Sequence, residues 1–268
     1  MGFLAPYVLV LAIFVVVPVI IGFGIGLRPQ IYRELLADPV FATAAKNTFI
    51  YVIVSVNATM VIALILSGFF SLQKRWIGLL LVLFILPWAA PSIPTILSFR
   101  VMLNAETGVI NQQLFQLFGI MEGPAWLTNA NLAFVMAIIV HIWKSLPFWT
   151  LTLLTGRLAI SGDLYEAASV DGASIWQKFR YITWPSLAKL YMTSTILSAI
   201  WTLGDFNSIY LLTGGGPADQ TQVLATLGVK YVSNSRLDLG IASILIALPI
   251  ILPLVVVMMR RLSGGREE

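Results

Sequence analysis

Apolar residues fill this chain in long blocks separated by short polar stretches. A membrane-crossing helix needs about 20 mostly apolar residues. Six blocks reach that length: Phe3 to Leu27, Thr48 to Leu72, Trp76 to Phe99, Leu132 to Ile160, Leu187 to Leu212 and Ile241 to Met259. The first starts almost at Met1 with no basic lead and no small-residue cleavage site, so it predicts a retained span and not a signal peptide. Pro87, Pro91 and Pro94 crowd the third block and predict a kink. Gly22 and Gly26 form a GxxxG pair, the pattern of a close helix contact.

Composition narrows the class further. Of 268 residues, 59% are hydrophobic and 10% charged, against about 25% charged in soluble domains. So few charges cannot cover a soluble globule. A soluble enzyme, a disordered chain and a nucleic-acid-binding domain are therefore excluded, the last despite a pI near 9.4. The expected fold class is an all-α integral membrane protein, residues 1–268 forming one transmembrane domain with six transmembrane helices. There is no cysteine and a single histidine, His141, so disulfides, thiolate sites and multi-histidine metal sites are absent. No GxxxxGK[ST] sequence occurs, so the chain carries no P-loop of that type.

Six spans put both termini on one side. Lys74, Arg75, Arg157, Lys178, Arg180, Lys189, Arg260, Arg261 and Arg266 share that side, whereas Ala105 to Asn131 contains no Lys or Arg. The positive-inside rule then predicts cytoplasmic termini and an external Ala105–Asn131 loop, with Trp126 anchored near the interface.

The longest cytoplasmic loop begins at Ser161. Asp163-Leu164-Tyr165-Glu166 predicts a helix N-cap at Asp163 with a glutamate three residues on. Gly172 supplies a residue able to stop that helix in a left-handed conformation. Ser174-Ile175-Trp176-Gln177 is a second capping box, starting a helix expected to end before Pro185. Two short helices thus meet at a Gly-Ala elbow. Ala167, Ala168 and Ala173 permit close approach of another surface, and Glu166 and Asp171 add charge at its rim. From these residues alone, the elbow either docks a partner or packs back on its own bundle.

The run Glu166-Ala167-Ala168-Ser169-Val170-Asp171-Gly172-Ala173, followed by Phe179, Ile182 and Pro185, resembles the EAA motif of membrane subunits of binding-protein-dependent ABC importers. Tyr210-Leu211-Leu212-Thr213-Gly214-Gly215-Gly216-Pro217 resembles the segment after the fifth core span in the maltose-transporter-type subfamily, in its "F" type subunit. Asn47-Thr48, Gly108-Val109-Ile110-Asn111 and Trp143-Lys144 with Pro147-Phe148 also look like subfamily positions. The resemblance runs from about Asp38 onward and departs from the family in the absence of a cytoplasmic tail before the first span.

The resemblance implies a type I ABC importer permease fold in a bacterial or archaeal cytoplasmic membrane. It implies a coupling role for Glu166, Ala167, Ala168, Asp171, Gly172, Ala173 and Phe179. The implied partners are a second, "G" type permease subunit, two copies of an ATP-binding subunit, an extracytoplasmic binding protein and a sugar substrate, with no nucleic acid. ATP and magnesium would sit on the partner subunits, leaving this chain with no cofactor, no metal and no catalytic residue.

An ionisable residue at mid-membrane costs about 2.5–3.5 kcal/mol and usually faces the bundle interior or a water-filled cavity. Lys144 in the fourth block and Asp205 in the fifth are such residues, and His141 lies one turn from Lys144. Lys144 and Phe148 share a helix face, and Ser145 lies on the neighbouring row. Ser198, Thr202 and Asp205 form one polar stripe, with Trp201 a turn from Asp205. Hydroxyls, charges and aromatic rings are the groups that bind sugars. In the resembled subunit a sugar site is built from the two helices flanking the EAA loop, which implies substrate contact for Lys144, Ser145, Phe148, Ser198, Trp201, Thr202 and Asp205. A lysine favours an acidic sugar or a phosphate. Paired with Asp205, it serves a neutral sugar, or the two only hold the bundle together. His141 reads as a hydrogen-bonded interior histidine.

Two other classes remain. In an ion-gradient-driven secondary transporter, Lys144, Asp205 and His141 would be coupling groups, but the six blocks show no internal repeat. A membrane enzyme needs a nucleophile or a metal cluster, and neither GxSxG nor a His/Asp cluster is present.

Overall fold

A computed structural model describes residues 5–72 and 74–263. Phe3 and Arg266 therefore lie outside the described residues. The described chain is helical, with no strand among those residues.

Helix α1 (Pro6–Gly26) carries a π-helical turn at Ala12–Val16. Almost all of it is exposed, the expected state of a helix that lipid or a partner covers. The GxxxG pair works only in part. A Cβ on Gly26 would collide with Leu245 Cδ1 and Ile241 Cγ2, whereas nothing lies within 4 Å of Gly22. A short amphipathic helix, α2 (Pro29–Ala37), leads to α3 (Pro39–Phe70), the longest helix described at 32 residues. Asp38 caps α3 by accepting the Val40 N–H at 2.8 Å, and Pro39 sits at the first position, where a missing N–H costs nothing.

The third block does not form one kinked span. It divides into α4 (Arg75–Ala89) and α5 (Ser92–Met102), bent by 94°. The prolines explain the break. Ala90 precedes Pro91 and is extended, with ψ at 142°. Pro91 and Pro94 lack the N–H groups that would bond to the carbonyls of Pro87 and Ala90, four residues earlier. Both carbonyls are left open at the elbow.

A loop with a short helix, α6 (Val109–Phe118), follows. Asn111 organises it by donating to the Ala105 and Pro124 carbonyls and accepting the Trp126 indole N–H at 2.7 Å. Trp126 is therefore tied into the loop and packs on a buried cluster around Tyr51 and Ile138. Helix α7 (Ala130–Leu158) then runs back. It packs along α3, burying Tyr51, Val56, Met60 and Ala63 of α3 and Ala137, Val140, Trp149 and Leu153 of α7. This pair is the spine of the fold.

The next element is the elbow. Helix α8 (Gly162–Val170) is capped by Ser161, whose hydroxyl accepts the Asp163 N–H, not by Asp163 as its sequence position predicts. Gly172 has φ +75°, and the Ala173 and Gly172 N–H groups close on the Ala168 and Ser169 carbonyls, a Schellman stop. Ser174 and Gln177 form the predicted reciprocal capping box at the start of α9 (Ile175–Lys178). The second helix does not end before Pro185. It widens into a π turn at Phe179–Thr183 and continues as α10 (Trp184–Leu203). Pro185 falls in the first turn of α10, and the wider turn before it accommodates the proline ring and the missing N–H.

The fifth and sixth blocks are interrupted as well. α10 stops at Leu203, and α11 (Asn207–Thr213) resumes after the break at 204–206. α12 (Leu224–Ser233) and α13 (Leu237–Leu245) pair closely, and α14 (Leu248–Ser263) follows a short turn. Of the six predicted spans, α1, α3 and α7 are single helices long and apolar enough to cross a membrane, and α4 with α5 is a bent pair.

The segment between α11 and α12 is held by the start of α3. Asn47 Nδ2 donates to the carbonyls of Gln220 (2.7 Å) and Gln222 (3.0 Å), and Thr48 Oγ1 accepts the Leu224 N–H (2.9 Å). Gly215, with φ +85°, lies where a Cβ would strike the Gln222 amide. Asp219 pairs with Lys230. Burial raises the Asp219 carboxyl, but hydrogen bonds from Lys230 and Gln222 and the Lys230 charge outweigh it, leaving the group below its ordinary value. A lowered carboxylate stabilises the fold above its unfolded value of about 3.9 and loses that contribution as the pH falls through the lowered value. Thermal unfolding followed from pH 6 downward is expected to show a small acid-dependent loss below about pH 4 that Asp219→Asn removes. It stays small because both side chains are about a third exposed and solvent screens the pair.

Candidate functional site

The breaks in the third and fifth blocks and the adjoining face of α7 line one cavity of about 230 Å³. All seven residues that the sequence marks for substrate contact line it: Lys144, Ser145 and Phe148 from α7, Ser198, Trp201 and Thr202 from α10, and Asp205 from the break after α10. The wall also takes Trp88 and Ser92 from the α4–α5 elbow, Trp149 from α7, and Asn207 and Ser208 from α11. Trp149 shares the helix row of Ser145, next to Lys144 and Phe148, whereas Trp88, Ser92, Asn207 and Ser208 were not legible beforehand, because a straight third span and an unbroken fifth span would carry them elsewhere.

One side of the cavity is a continuous aromatic surface. Trp88 stacks on Phe148 with ring centroids 5.6 Å apart and planes 29° off parallel. Phe148 lies 5.4 Å from Trp201, which lies 5.5 Å from Trp149. Trp88 and Trp201 line the cavity and remain about half exposed.

The other side is polar, and its pairing differs from the one expected. Lys144 and Asp205 do not pair. Asp205 Oδ2 accepts hydrogen bonds from Tyr51 Oη and from His141 Nδ1, each at 2.7 Å, and its Oδ1 accepts the Ser208 N–H at 3.2 Å. His141 Nε2 faces Thr202 Oγ1 at 3.3 Å. His141 thus has the carboxylate partner that sequence spacing could not supply, and the expected interior hydrogen-bonded histidine is what the structure shows. Tyr51 is 1% exposed and 154 residues from Asp205 in the chain; nothing in its local sequence marks it.

Lys144 instead reaches the elbow. Its Nζ donates to the Ala90 carbonyl at 2.9 Å and the Pro87 carbonyl at 3.2 Å. These are the two carbonyls that Pro94 and Pro91 leave without helical donors. The lysine replaces the missing N–H groups and adds a favourable charge at the C-terminal end of α4. Trp143, on the next position, packs edge-on against Phe99 at 4.9 Å and takes no part in the cavity wall.

The elbow between α7 and α10 forms a second candidate surface. Glu166, Ala167, Asp171 and Gly172 are exposed, and Ala168, Ala173 and Phe179 are half-buried. Phe179 stacks on Trp176 at 5.5 Å. Lys178 Nζ donates to Ser169 Oγ at 2.6 Å, and Tyr165 Oη bonds Thr183 Oγ1 at 2.9 Å, tying the two short helices together. Val170 and Ile175 are both 89% exposed, and Trp176 is 70% exposed. Val170 lies within the motif, and Ile175 and Trp176 extend the apolar surface beyond it.

Comparison with known proteins places this geometry. The model of the family "Binding-protein-dependent transport system inner membrane component" matches residues 2–262. The trehalose/maltose transport system permease protein MalF of Thermococcus litoralis is 30% identical over 268 residues, covering 95% of this chain and 90% of that protein. The sulfoquinovosyl glycerol transport system permease protein SmoG of Agrobacterium fabrum is 33% identical over 214 residues, covering 80% of this chain and 68% of that protein. Among solved structures, a chain of the bacterial alginate ABC transporter, in complex with an alginate pentasaccharide-bound periplasmic protein, superposes with a TM-score of 0.84. It is 21% identical and covers 96% of this chain and 91% of that chain, a likeness of fold. Matching along nearly its whole length, the chain belongs to the family of binding-protein-dependent transport system inner membrane components.

Proposed function

We propose that the chain is one of two permease subunits of an ATP-driven importer and that its cavity is a way-station for a sugar or related carbohydrate. The observation that carries this reading is the cavity itself. Stacked aromatic faces stand opposite hydroxyl, carboxylate and ammonium groups, at breaks in two spans and beside a third helix that leads straight to the elbow. Rings cover the C–H faces of a pyranose, and the polar side meets its hydroxyls. The relatives named for trehalose/maltose and for sulfoquinovosyl glycerol transport support the substrate class. The family supports an importer over an ion-gradient-driven transporter.

In this reading an extracytoplasmic binding protein delivers the sugar, a second "G" type subunit completes the pathway, and two separate subunits hydrolyse ATP. The elbow carries their motion into α7 and α10. The basic residues Lys74, Arg75, Arg157, Lys178, Arg180 and Lys189 support a cytoplasmic elbow and cytoplasmic termini.

Proteoliposomes test this directly. Uptake of a radiolabelled saccharide carried by the binding protein is expected only when the second permease, the ATPase and the binding protein are all present with ATP. Uptake by this chain alone, abolished by an ionophore, overturns the reading.

A further inference from the structure

The titratable groups lining the cavity are His141, Lys144 and Asp205, and their hydrogen bonds are unequally spent. Asp205 is saturated: Tyr51, His141 and Ser208 all donate to it. A carboxylate so occupied, with its imidazole partner 2.7 Å away, offers little to a ligand. Lys144 is different. An ammonium has three N–H donors. Two are given to the Pro87 and Ala90 carbonyls, and the third is left at the cavity wall. None of the four ion pairs among the described residues includes Lys144.

We infer that the cavity selects a saccharide bearing an acidic substituent, a carboxylate or a sulfonate, whose anion sits on the free N–H of Lys144 while a ring of the sugar lies on Trp88 and Trp201. This rests on the carbohydrate reading above. A neutral hydroxyl could fill the same place, but it leaves the ammonium without an ionic partner, because the Asp205 carboxylate is taken by His141 and Tyr51. An anion compensates it, and a charge-assisted hydrogen bond is about twice as strong as a neutral one. The proline-made elbow is what keeps Lys144 available, because it holds the ammonium by neutral carbonyls and not by a carboxylate. Asp205, engaged by His141 and Tyr51, does not compete with the ligand anion for it.

The test uses the assembled importer in nanodiscs and matched disaccharide pairs of the gluco, galacto and manno series. Members of a pair differ only in a CH2OH group or a carboxylate. Binding is read by quenching of intrinsic tryptophan fluorescence, since Trp88, Trp149 and Trp201 line the site. In at least one pair the uronic acid is expected to bind about 10-fold tighter than its neutral partner. Lys144→Gln is expected to erase that ratio, and Lys144→Arg to retain it. Equal or tighter binding of the neutral sugars overturns the acidic preference and leaves the carbohydrate reading standing, as does a preference that survives Lys144→Gln. Binding of no sugar by an importer whose ATPase still responds to its binding protein overturns both. The wild-type comparison decides the acidic preference even if Lys144→Gln fails to assemble, and Lys144→Met then tests its seat.

Discussion

Replacing Glu166–Gly172 with a Gly-Ser linker of equal length is expected to reduce ATP-driven uptake to background while the chain still inserts in the membrane. The elbow is built by local interactions: the Ser161 cap, the Schellman stop at Gly172, the Ser174–Gln177 box and the Lys178–Ser169 and Tyr165–Thr183 bonds. None of these belongs to the α3–α7 spine, so the spans keep their packing when the elbow is lost. What disappears is a rigid surface bearing Glu166, Ala167, Asp171 and the exposed Val170. A flexible linker can neither present that surface nor push on α7 and α10. Gly172→Val is a milder version. A β-branched residue at φ +75° strains the stop by about 1–2 kcal/mol, so partial uncoupling is expected. Uptake and ATPase activity in proteoliposomes, with membrane levels read by immunoblot, check both variants. Normal uptake by the linker variant would show that the elbow does not couple.

Asp205→Ala is expected to lower the unfolding temperature of the purified importer and to cut substrate-stimulated ATPase activity at least tenfold. One carboxylate holds together three segments: α3 through Tyr51, α7 through His141 and α11 through the Ser208 N–H. Removing it strands the buried Tyr51 hydroxyl and the partly buried His141 ring. A buried donor left without its acceptor costs about 1–3 kcal/mol. The break after α10 also loses the oxygen that holds the first turn of α11, so Trp201 and Thr202 lose their fixed position at the cavity wall. Asp205→Asn keeps one acceptor oxygen, and it is expected to fall between the two. Differential scanning fluorimetry and sugar-dependent ATPase assays separate the effects. Wild-type behaviour of Asp205→Ala in both would make the cluster dispensable.

These variants probe features of unequal legibility. The elbow could be read because its signals are local: caps, a stop glycine and a fixed motif between Ser161 and Gln177 each act on backbone groups a few residues away. Even there, the cap moved from Asp163 to Ser161 and the helix ran on through Pro185, since boundary chemistry offers several near-equal solutions. The helix faces of the cavity were also legible. Lys144 with Phe148, and Ser198 with Thr202 and Asp205, follow from a period of 3.6 residues. Their partners were not. Tyr51 meets Asp205, and Lys144 meets carbonyls more than 50 residues away, and no periodicity encodes which helix packs against which.

By itself, the order of the residues determined that the chain crosses a membrane in apolar helices, where its polar faces lie, and that a capped elbow joins the fourth and fifth blocks. Hydrophobic length and backbone chemistry act along the chain, so they can be read along it. Only the tertiary structure decided that the third and fifth blocks break, that the breaks face one cavity, and that His141, not Lys144, takes Asp205. Prolines leave carbonyls open wherever they occur, but which side chain fills them depends on the helix that packs alongside. Here α7 brings Lys144 to the open carbonyls and leaves its last N–H facing the cavity.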